Sequence, residues 1–237
     1  MYLYIYDGFL GSGKYARTLA QIENRLTDLG IHGRIERLTP LKSIAQTIET
    51  ETKRGAKTVV AVGNDDTVRK IIDYLPAHKL ALGYLPLVAP TRLAESFGIP
   101  VGAAACDILS ARLMQTLDIG RVNGHYFLSS VSIPAGKVTL ECEGKYRVSA
   151  PSSAELTLYN MDADPQDGYF DAVLASTQGG MWNRRTAESV FPIRKLSIVS
   201  ERKFPLFADG KRMETTTAHI EVVPKTLKVI VGKGRKF

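Results

Sequence analysis

Apolar and polar positions alternate between two periods in the first half of the chain, and the change is clearest over Lys57–Leu75. Thr58–Val62 is a short β-branched apolar run of the kind that forms a buried strand. Gly63-Asn64-Asp65-Asp66 interrupts it with residues that favour turns. From Thr67 onward Val68, Ile71, Ile72 and Leu75 fall on one face of a helix. Asp65, Asp66 or Thr67 is expected to cap that helix and leave its first N–H groups able to hold an anion. Strand, acidic turn and helix together have the form of a nucleotide-binding corner, or of a plain connection in an α/β domain.

The same alternation runs on either side. Strands are expected at Tyr2–Tyr6, Gly33–Leu38 and Leu80–Leu85. Helices are expected from Lys14 to Leu29 (Leu19, Ile22, Leu26 and Leu29 inward), over Leu41–Thr52 (Leu41, Ile44, Ala45, Ile48), over Thr91–Phe97 and over Asp107–Leu117. This order predicts a parallel sheet with helices on its faces. After Asp118 short strand-like segments follow one another between Gly, Pro, Asn and Asp turns, with one helix expected near Asn183–Val190. The expected fold class is α/β: residues 1–118 form a parallel-sheet nucleotide-binding domain, and residues 119–237 a mostly antiparallel β-sandwich. Ala218–Val223 and Leu227–Val231 are expected as separate strands. A cleft between the domains is the default ligand site.

Composition changes this picture little. The chain has 237 residues, 44% hydrophobic and 23% charged, which suits a globular protein with a real core. No apolar run approaches the roughly 18 residues that span a bilayer, and the rapidly acidic N-terminus MYLYIYDG reads as a first strand, not a leader. Cys106 and Cys142 have no metal or redox spacing, and the four histidines offer no i, i+4 pair. A net charge of +7 favours anionic partners. No nucleic-acid signature accompanies it, so an anionic membrane surface or a lipid is the partner expected, and nucleic acid is not. The setting expected is cytoplasmic, with peripheral membrane contact open to the basic tail of Lys225, Lys228, Lys233, Arg235 and Lys236.

Two stretches carry candidate chemistry. Gly8–Tyr15, GFLGSGKY, has the GxxxxGK spacing between a strand and a helix, but Tyr15 replaces the hydroxyl that would hold Mg²⁺. Gly11, Ser12, Gly13 and Lys14 remain candidates to contact phosphate through backbone N–H groups and one ammonium.

The second signal is a succession. Gly63–Thr67 is followed by Leu82-Gly83-Tyr84-Leu85-Pro86-Leu87, Ala94 and Phe97-Gly98-Ile99-Pro100. Then come Leu117-Asp118-Ile119-Gly120-Arg121-Val122-Asn123-Gly124 with Phe127, and Gly136. Asp167-Gly168-Tyr169-Phe170-Asp171 and Asp209-Gly210 follow. This order resembles the diacylglycerol kinase catalytic family, lipid kinases related to sphingosine and NAD kinases. The resemblance implies an α/β domain followed by a β-sandwich, ATP and Mg²⁺ as cofactors, a lipid hydroxyl as acceptor and a homodimer. It makes Gly63, Asn64, Asp65 and Thr67 nucleotide-binding candidates, Asp65 the catalytic candidate and Asp167 a metal candidate, aided by Asp162, Asp164 or Asp171.

Three family motifs are altered. GGDGT is Gly63-Asn64-Asp65-Asp66-Thr67, GTGN is Val88-Ala89-Pro90-Thr91, and the late DGE is Asp209-Gly210-Lys211. Side chains at Asn64 and Asp66 obstruct close backbone approach to phosphate, and Pro90 removes a donor. The glutamate held by the resemblance to accept the lipid proton is Lys211, protonated at neutral pH. Glu214 would replace it only with a rearranged loop. The segment between Gly136 and Asp167 is also short for the family's lipid pocket. Three readings stand open: a weakly active or inactive lipid-kinase scaffold that binds a ligand or partner, an active ATP- and Mg²⁺-dependent lipid kinase, and a P-loop-type NTPase using Gly8–Lys14.

Overall fold

In a computed structural model the described residues are 1–134, 139–144, 146–149, 154–161, 163–178 and 185–237. Gly136, Asp162 and Asn183 lie outside them. Two compact units divide the chain: residues 1–117 with 226–237, and residues 118–225.

The first unit is built on β1 (Tyr2–Tyr6), β2 (Gly33–Arg37), β3 (Thr58–Gly63) and β4 (Ala81–Pro86), all parallel in the order β2-β1-β3-β4. Central strands β3 and β4 are buried at every position, as their unbroken apolar runs require. Edge strand β2 is mostly exposed. Three helices connect them, α1 (Ala16–Asp28), α2 (Ile44–Lys53) and α3 (Asp65–Ile72), and α4 (Arg92–Phe97) and α5 (Ala105–Ala111) follow β4. Leu19, Ile22 and Leu26 form the buried stripe of α1.

Several helix boundaries differ from the periodicity: α1 starts at Ala16, not Lys14, and α3 ends at Ile72, so Leu75 lies beyond it. Helix α2 starts at Ile44, not Leu41, because the Ser43 hydroxyl accepts the Gln46 N–H and fixes the N-terminus there. Leu41 is left outside with 99% of its surface exposed. Helix α5 stops at Ala111, where Arg112 turns left-handed, and residues 114–117, expected as its end, open strand β5 (Met114–Val122).

The second unit is antiparallel. It comprises the later part of β5, β6 (His125–Phe127), β7 (Ser130–Ile133), β8 (Thr139–Cys142), β9 (Tyr146–Ser149), β10 (Ala154–Tyr159), β11 (Phe170–Gln178), β12 (Arg185–Ile193), β13 (Lys195–Ala208) and most of β14 (Lys211–Ile230). Its apolar core includes Phe127, Leu158, Phe170, Ile198, Leu206 and Ile220. The helix expected near Asn183–Val190 is replaced by β12, which pairs with β11 from Phe170↔Ile193 to Gln178↔Arg185. The two strands expected within 218–231 are one strand, β14.

The end of β14 corrects the expected division at 119–237. Lys228 and Val229 pair in parallel with Ala81 and Leu82 of β4, returning Thr226–Phe237 to the first unit. The tail is then held by Gly232 N–H on Phe97 O, Lys236 N–H on Ser96 O and an edge contact between the Phe97 and Phe237 rings. A Cβ on Gly232 would lie 2.0 Å from Gly98 O. Gly232→Ala is therefore expected to destabilise the first unit by about 2 kcal/mol, through forced backbone movement, read as a lower urea midpoint.

Among the described residues no helix is long and apolar enough to cross a membrane.

Candidate functional site

In a parallel sheet the carboxyl ends of all strands lie at one edge, and ligands bind where strand order reverses. Here the order reverses between β1 and β3, so the chain after Tyr6 and the chain after Gly63 meet at the switch point. Both segments carry polar residues. They are tied to each other.

The cap of α3 is Asn64, not Asp65, Asp66 or Thr67. Its Oδ1 accepts the Thr67 N–H at 3.3 Å, while Thr67 Oγ1 accepts the Asn64 N–H at 3.1 Å. This reciprocal box satisfies two donors that would otherwise be open. Thr67 also donates its hydroxyl to Asp7 Oδ2 at 2.9 Å, and Lys70 Nζ donates to the same oxygen at 2.7 Å. Asp7 and Thr67 are buried. Gly63 is obligatory in this packing, since a Cβ there would stand 2.3 Å from Thr67 Oγ1.

Asp65 is buried beside this box. Its Oδ1 accepts from the Tyr84 hydroxyl at 2.9 Å and its Oδ2 from the Leu93 N–H at 3.2 Å, in the first turn of α4. Its own N–H is donated to Pro90 O at 2.9 Å. Burial pushes the carboxyl pKa upward, against the lowering pull of these hydrogen bonds. Burial, and then the neighbouring Asp65, raise the Tyr84 phenol. Asp66 points away and pairs with Arg69 at 2.6 Å.

The anion site expected at the start of α3 is thus spent internally at Asp65 and Thr67, whose N–H groups go to Pro90 and Asn64. Asn64 does not reach outward over a phosphate; it folds back as the cap.

These contacts fix a prediction. Asp65→Ala strands the Leu93 N–H and the Tyr84 hydroxyl and is expected to cost about 2 kcal/mol. Asp65→Asn keeps an acceptor for Leu93 and can donate to Tyr84, so it is expected to cost less. Because the folded carboxyl pKa is raised, the contribution of Asp65 is greatest at acid pH and declines as pH rises through that raised value. The penalty of Asp65→Asn should therefore shrink from acid to neutral pH in urea titrations.

The Gly8–Tyr15 loop lies between β1 and α1. It forms two 3₁₀ turns, Gly8–Gly11 and Gly13–Tyr15, joined by an extended Ser12. The Ser12 N–H is donated to Phe9 O at 3.4 Å and the Tyr15 N–H to Ser12 O at 3.2 Å, so the donor expected at Ser12 is already engaged. The Lys14 ammonium lies over the Tyr15 ring, 5.5 Å from its centroid. Gly11, Ser12 and Gly13 line a half-open cavity of about 270 Å³ with Ala16, Glu23 and Arg37 on its walls; Lys14 does not line it. Small-molecule sites usually enclose about 300–1,000 Å³, and this one falls below that range.

In the second unit Asp209 and Gly210 make a two-residue turn between β13 and β14, with φ values of 48° and 79°. The Asp209 carboxylate accepts the N–H groups of Leu128 and Ser129, each at 2.7 Å, and of Ser130 at 3.1 Å. Lys211 opens β14 as an exposed residue. Glu214 is three positions along that regular strand, hence on its other side and about 10 Å away, and pairs with Arg212 at 2.6 Å. It does not replace a carboxylate at 211.

Asp167 Oδ1 accepts the Tyr169 N–H at 2.8 Å, and Asp164 Oδ1 the Gln166 N–H at 3.0 Å, both within turns. Asp118 is buried and holds the Gly168 and Lys225 N–H groups, each at 2.7 Å. Among the described residues no three His, Cys, Asp or Glu side chains gather at metal-binding distances; Asp162 lies outside that set.

Sequence reasoning gave no role to Asp7 or Arg37, nor to Tyr84 and Asp118 beyond their places in motifs. Asp7 carried a signal: a carboxylate placed directly after a buried strand and before Gly8.

Residues 1–122 match the family model described as the diacylglycerol kinase catalytic domain. The chain is 33% identical over 84 residues to a Pseudomonas aeruginosa protein named "Probable lipid kinase YegS-like", covering 35% of this chain and 28% of that one. It is 24% identical over 129 residues to a Bacillus subtilis diacylglycerol kinase, covering 53% and 43%. The matches thus span less than half of these relatives' own length. A crystal structure described as a diacylglycerol kinase from Bacillus anthracis superposes with a TM-score of 0.79 at 16% identity, over 99% of this chain and 97% of that one.

Proposed function

The chain belongs to the diacylglycerol kinase catalytic family, and on that premise we propose that it is a member that keeps the scaffold without transferring phosphate, acting through binding instead. One observation carries the reading: the corner that would face a nucleotide is filled by the protein's own groups. The Asp65 and Thr67 N–H groups, the Asp65 carboxylate and the Asn64 side chain all have internal partners. Phosphoryl transfer depends on positioned donors and charge stabilisation. Where those donors are consumed, a triphosphate must break existing hydrogen bonds to bind. The residues present therefore do not fit ATP with Mg²⁺.

Lys211 supports the same reading. A general base must accept a proton, and an exposed ammonium has no vacant lone pair for one. The nearest carboxylate along the strand, Glu214, faces the other way.

The test is titration calorimetry with Mg²⁺ and ATP on the wild type and Asp65→Asn, with transfer to a diacylglycerol panel run in parallel. No heat at several millimolar ATP and no labelled lipid are expected. Millimolar or tighter binding that weakens in Asp65→Asn would overturn the proposal and make the chain an ATP-dependent lipid kinase. Binding that requires Lys14 but not Asp65 would instead make it an NTPase of the Gly8–Lys14 loop.

A further inference from the structure

The sheet of the first unit ends in an open strand. Among the described strands β2 has β1 as its one neighbour, and four of its five residues are exposed. The Leu38 N–H goes to Tyr6 O at 2.8 Å. Backbone groups alternate in direction along a strand, so Arg34 and Glu36 turn theirs toward β1 as well. Gly33, Ile35 and Arg37 present their N–H and C=O groups to the open edge, where they form a template for another strand.

The side chains alternate too. Ile35, 46% exposed, shares a face with Gly33 and Arg37. Arg34 and Glu36 share the face of α2, with Arg34 Nε 3.1 Å from Glu36 Oε1 and 3.3 Å from Glu51 Oε1. Half of the Arg34 side chain stays exposed. Lys42 first, and Arg34 with it, hold the Glu36 pKa below the usual carboxylate range, so Glu36 is charged at neutral pH.

This short strand is its own complement. When an antiparallel copy is centred on Ile35, Arg34 faces the partner's Glu36 and Glu36 faces the partner's Arg34. Ile35 then faces the partner's Ile35, and because their backbone groups point outward the two exchange both hydrogen bonds. Gly33 faces the partner's Arg37 without a side chain to obstruct it. Centring the pair on Arg34 or on Glu36 instead sets like charges opposite each other, and a parallel copy in register does so at both positions.

We propose that the open edge of β2 pairs with β2 of a second copy of this chain, antiparallel and centred on Ile35, joining two first units about a two-fold axis. Backbone bonds supply the attraction, and the crossed ion pairs with the Ile35 contact select the register. A uniformly acidic or basic partner fits less well, because Arg34 and Glu36 alternate in sign. The outer strand of the second unit, β12, includes Pro192, which has no N–H to offer. Contacts this small are weak, and a dissociation constant of about 10 µM is expected.

The experiment is sedimentation velocity of the full chain from about 1 to about 300 µM. The main species should move from 26.0 kDa to twice that mass. Ile35→Lys sets two ammonium groups opposite each other at an exposed position and should raise the dissociation constant about tenfold. Arg34→Glu and Glu36→Arg should each be monomeric, since each makes the facing positions alike in sign. An equimolar mixture of the two should dimerise, because an acidic strand then faces a basic one at both positions. Val190→Glu, on β12 and 63% exposed at the wild-type residue, should leave association unchanged. Circular dichroism checks that each variant is folded; if a charge variant unfolds, Ile35→Lys decides. A wild type that stays monomeric at the highest concentration, or equal association of Ile35→Lys and wild type, would overturn the proposal. So would a folded mixture that fails to dimerise, or loss of the dimer in Val190→Glu. No nucleotide enters the assay, so its failure leaves the reading of the nucleotide corner standing.

Discussion

Asp209→Ala is expected to destabilise the second unit by about 4 kcal/mol, because three backbone donors lose one charged acceptor at once. Leu128, Ser129 and Ser130 all direct their N–H groups to this carboxylate. They lie in the stretch from Phe127 into β7, and the Asp209 N–H returns a bond to Ser130 O at 2.9 Å. Alanine also fits poorly at a φ of 48°. Asp209→Asn keeps one acceptor atom and should cost about half as much. Lys211→Glu, at an exposed strand position, should change stability by less than about 0.5 kcal/mol. On the proposed reading it should not by itself produce phosphate transfer, since the Asp65 and Thr67 groups keep their internal partners. Urea unfolding followed by circular dichroism measures all three. If Asp209→Ala unfolds like the wild type, the aspartate is not a structural clamp, and its retention beside Lys211 needs a chemical explanation. A loss near the expected size accounts for the Asp-Gly pair structurally: Asp209 and Gly210 form the turn, and the Asp209 carboxylate holds the Leu128–Ser130 backbone.

The same division between scaffold and chemistry governed what the sequence disclosed. The strands β1, β3 and β4 are legible because buried parallel strands need unbroken apolar runs, and α1 and α3 because one face of each meets the sheet. Leu41 misled the helix boundary because an apolar residue at the right spacing looks inward until the Ser43 cap excludes it. The stretch 185–193 was misread because its strand character comes from pairing with β11, a long-range contact that local periodicity does not encode. Likewise the return of the tail to the first unit rests on two residue pairs with β4.

At the candidate site the turn between β3 and α3 was legible, and the direction of its side chains was not. Gly63, Asn64, Asp65 and Thr67 stand where the motif put them. Whether Asn64 points at a ligand or at the Thr67 N–H depends on its backbone conformation, which residue type leaves open. Asp7 escaped notice because its partners Thr67 and Lys70 are 60 and 63 positions away.

Thr67→Val should be the most damaging change at the switch point, at about 3 kcal/mol. The Thr67 hydroxyl is fully buried; it accepts the Asn64 N–H and lies 2.9 Å from Asp7 Oδ2 as a donor. Valine keeps the shape but leaves the Asn64 N–H without this acceptor and Asp7 with the Lys70 ammonium as its remaining charged partner. Unpaired buried groups bear their full desolvation cost. Thr67→Ser keeps the hydroxyl and should cost about 1 kcal/mol for the lost methyl. The Lys70 side chain is 46% exposed, so solvent screens its half of the pair and Lys70→Met should cost less than Thr67→Val. A double-mutant cycle joining Thr67→Val and Lys70→Met should show coupling of about 1 kcal/mol, because both act on one carboxylate oxygen. If the two changes are independent and Thr67→Val is nearly neutral, the corner is loosely held and open to nucleotide phosphates. If they couple and Thr67→Val is severe, the hydrogen bonds that fill the corner also sustain the fold, and ATP could enter only by displacing part of what keeps the first unit folded.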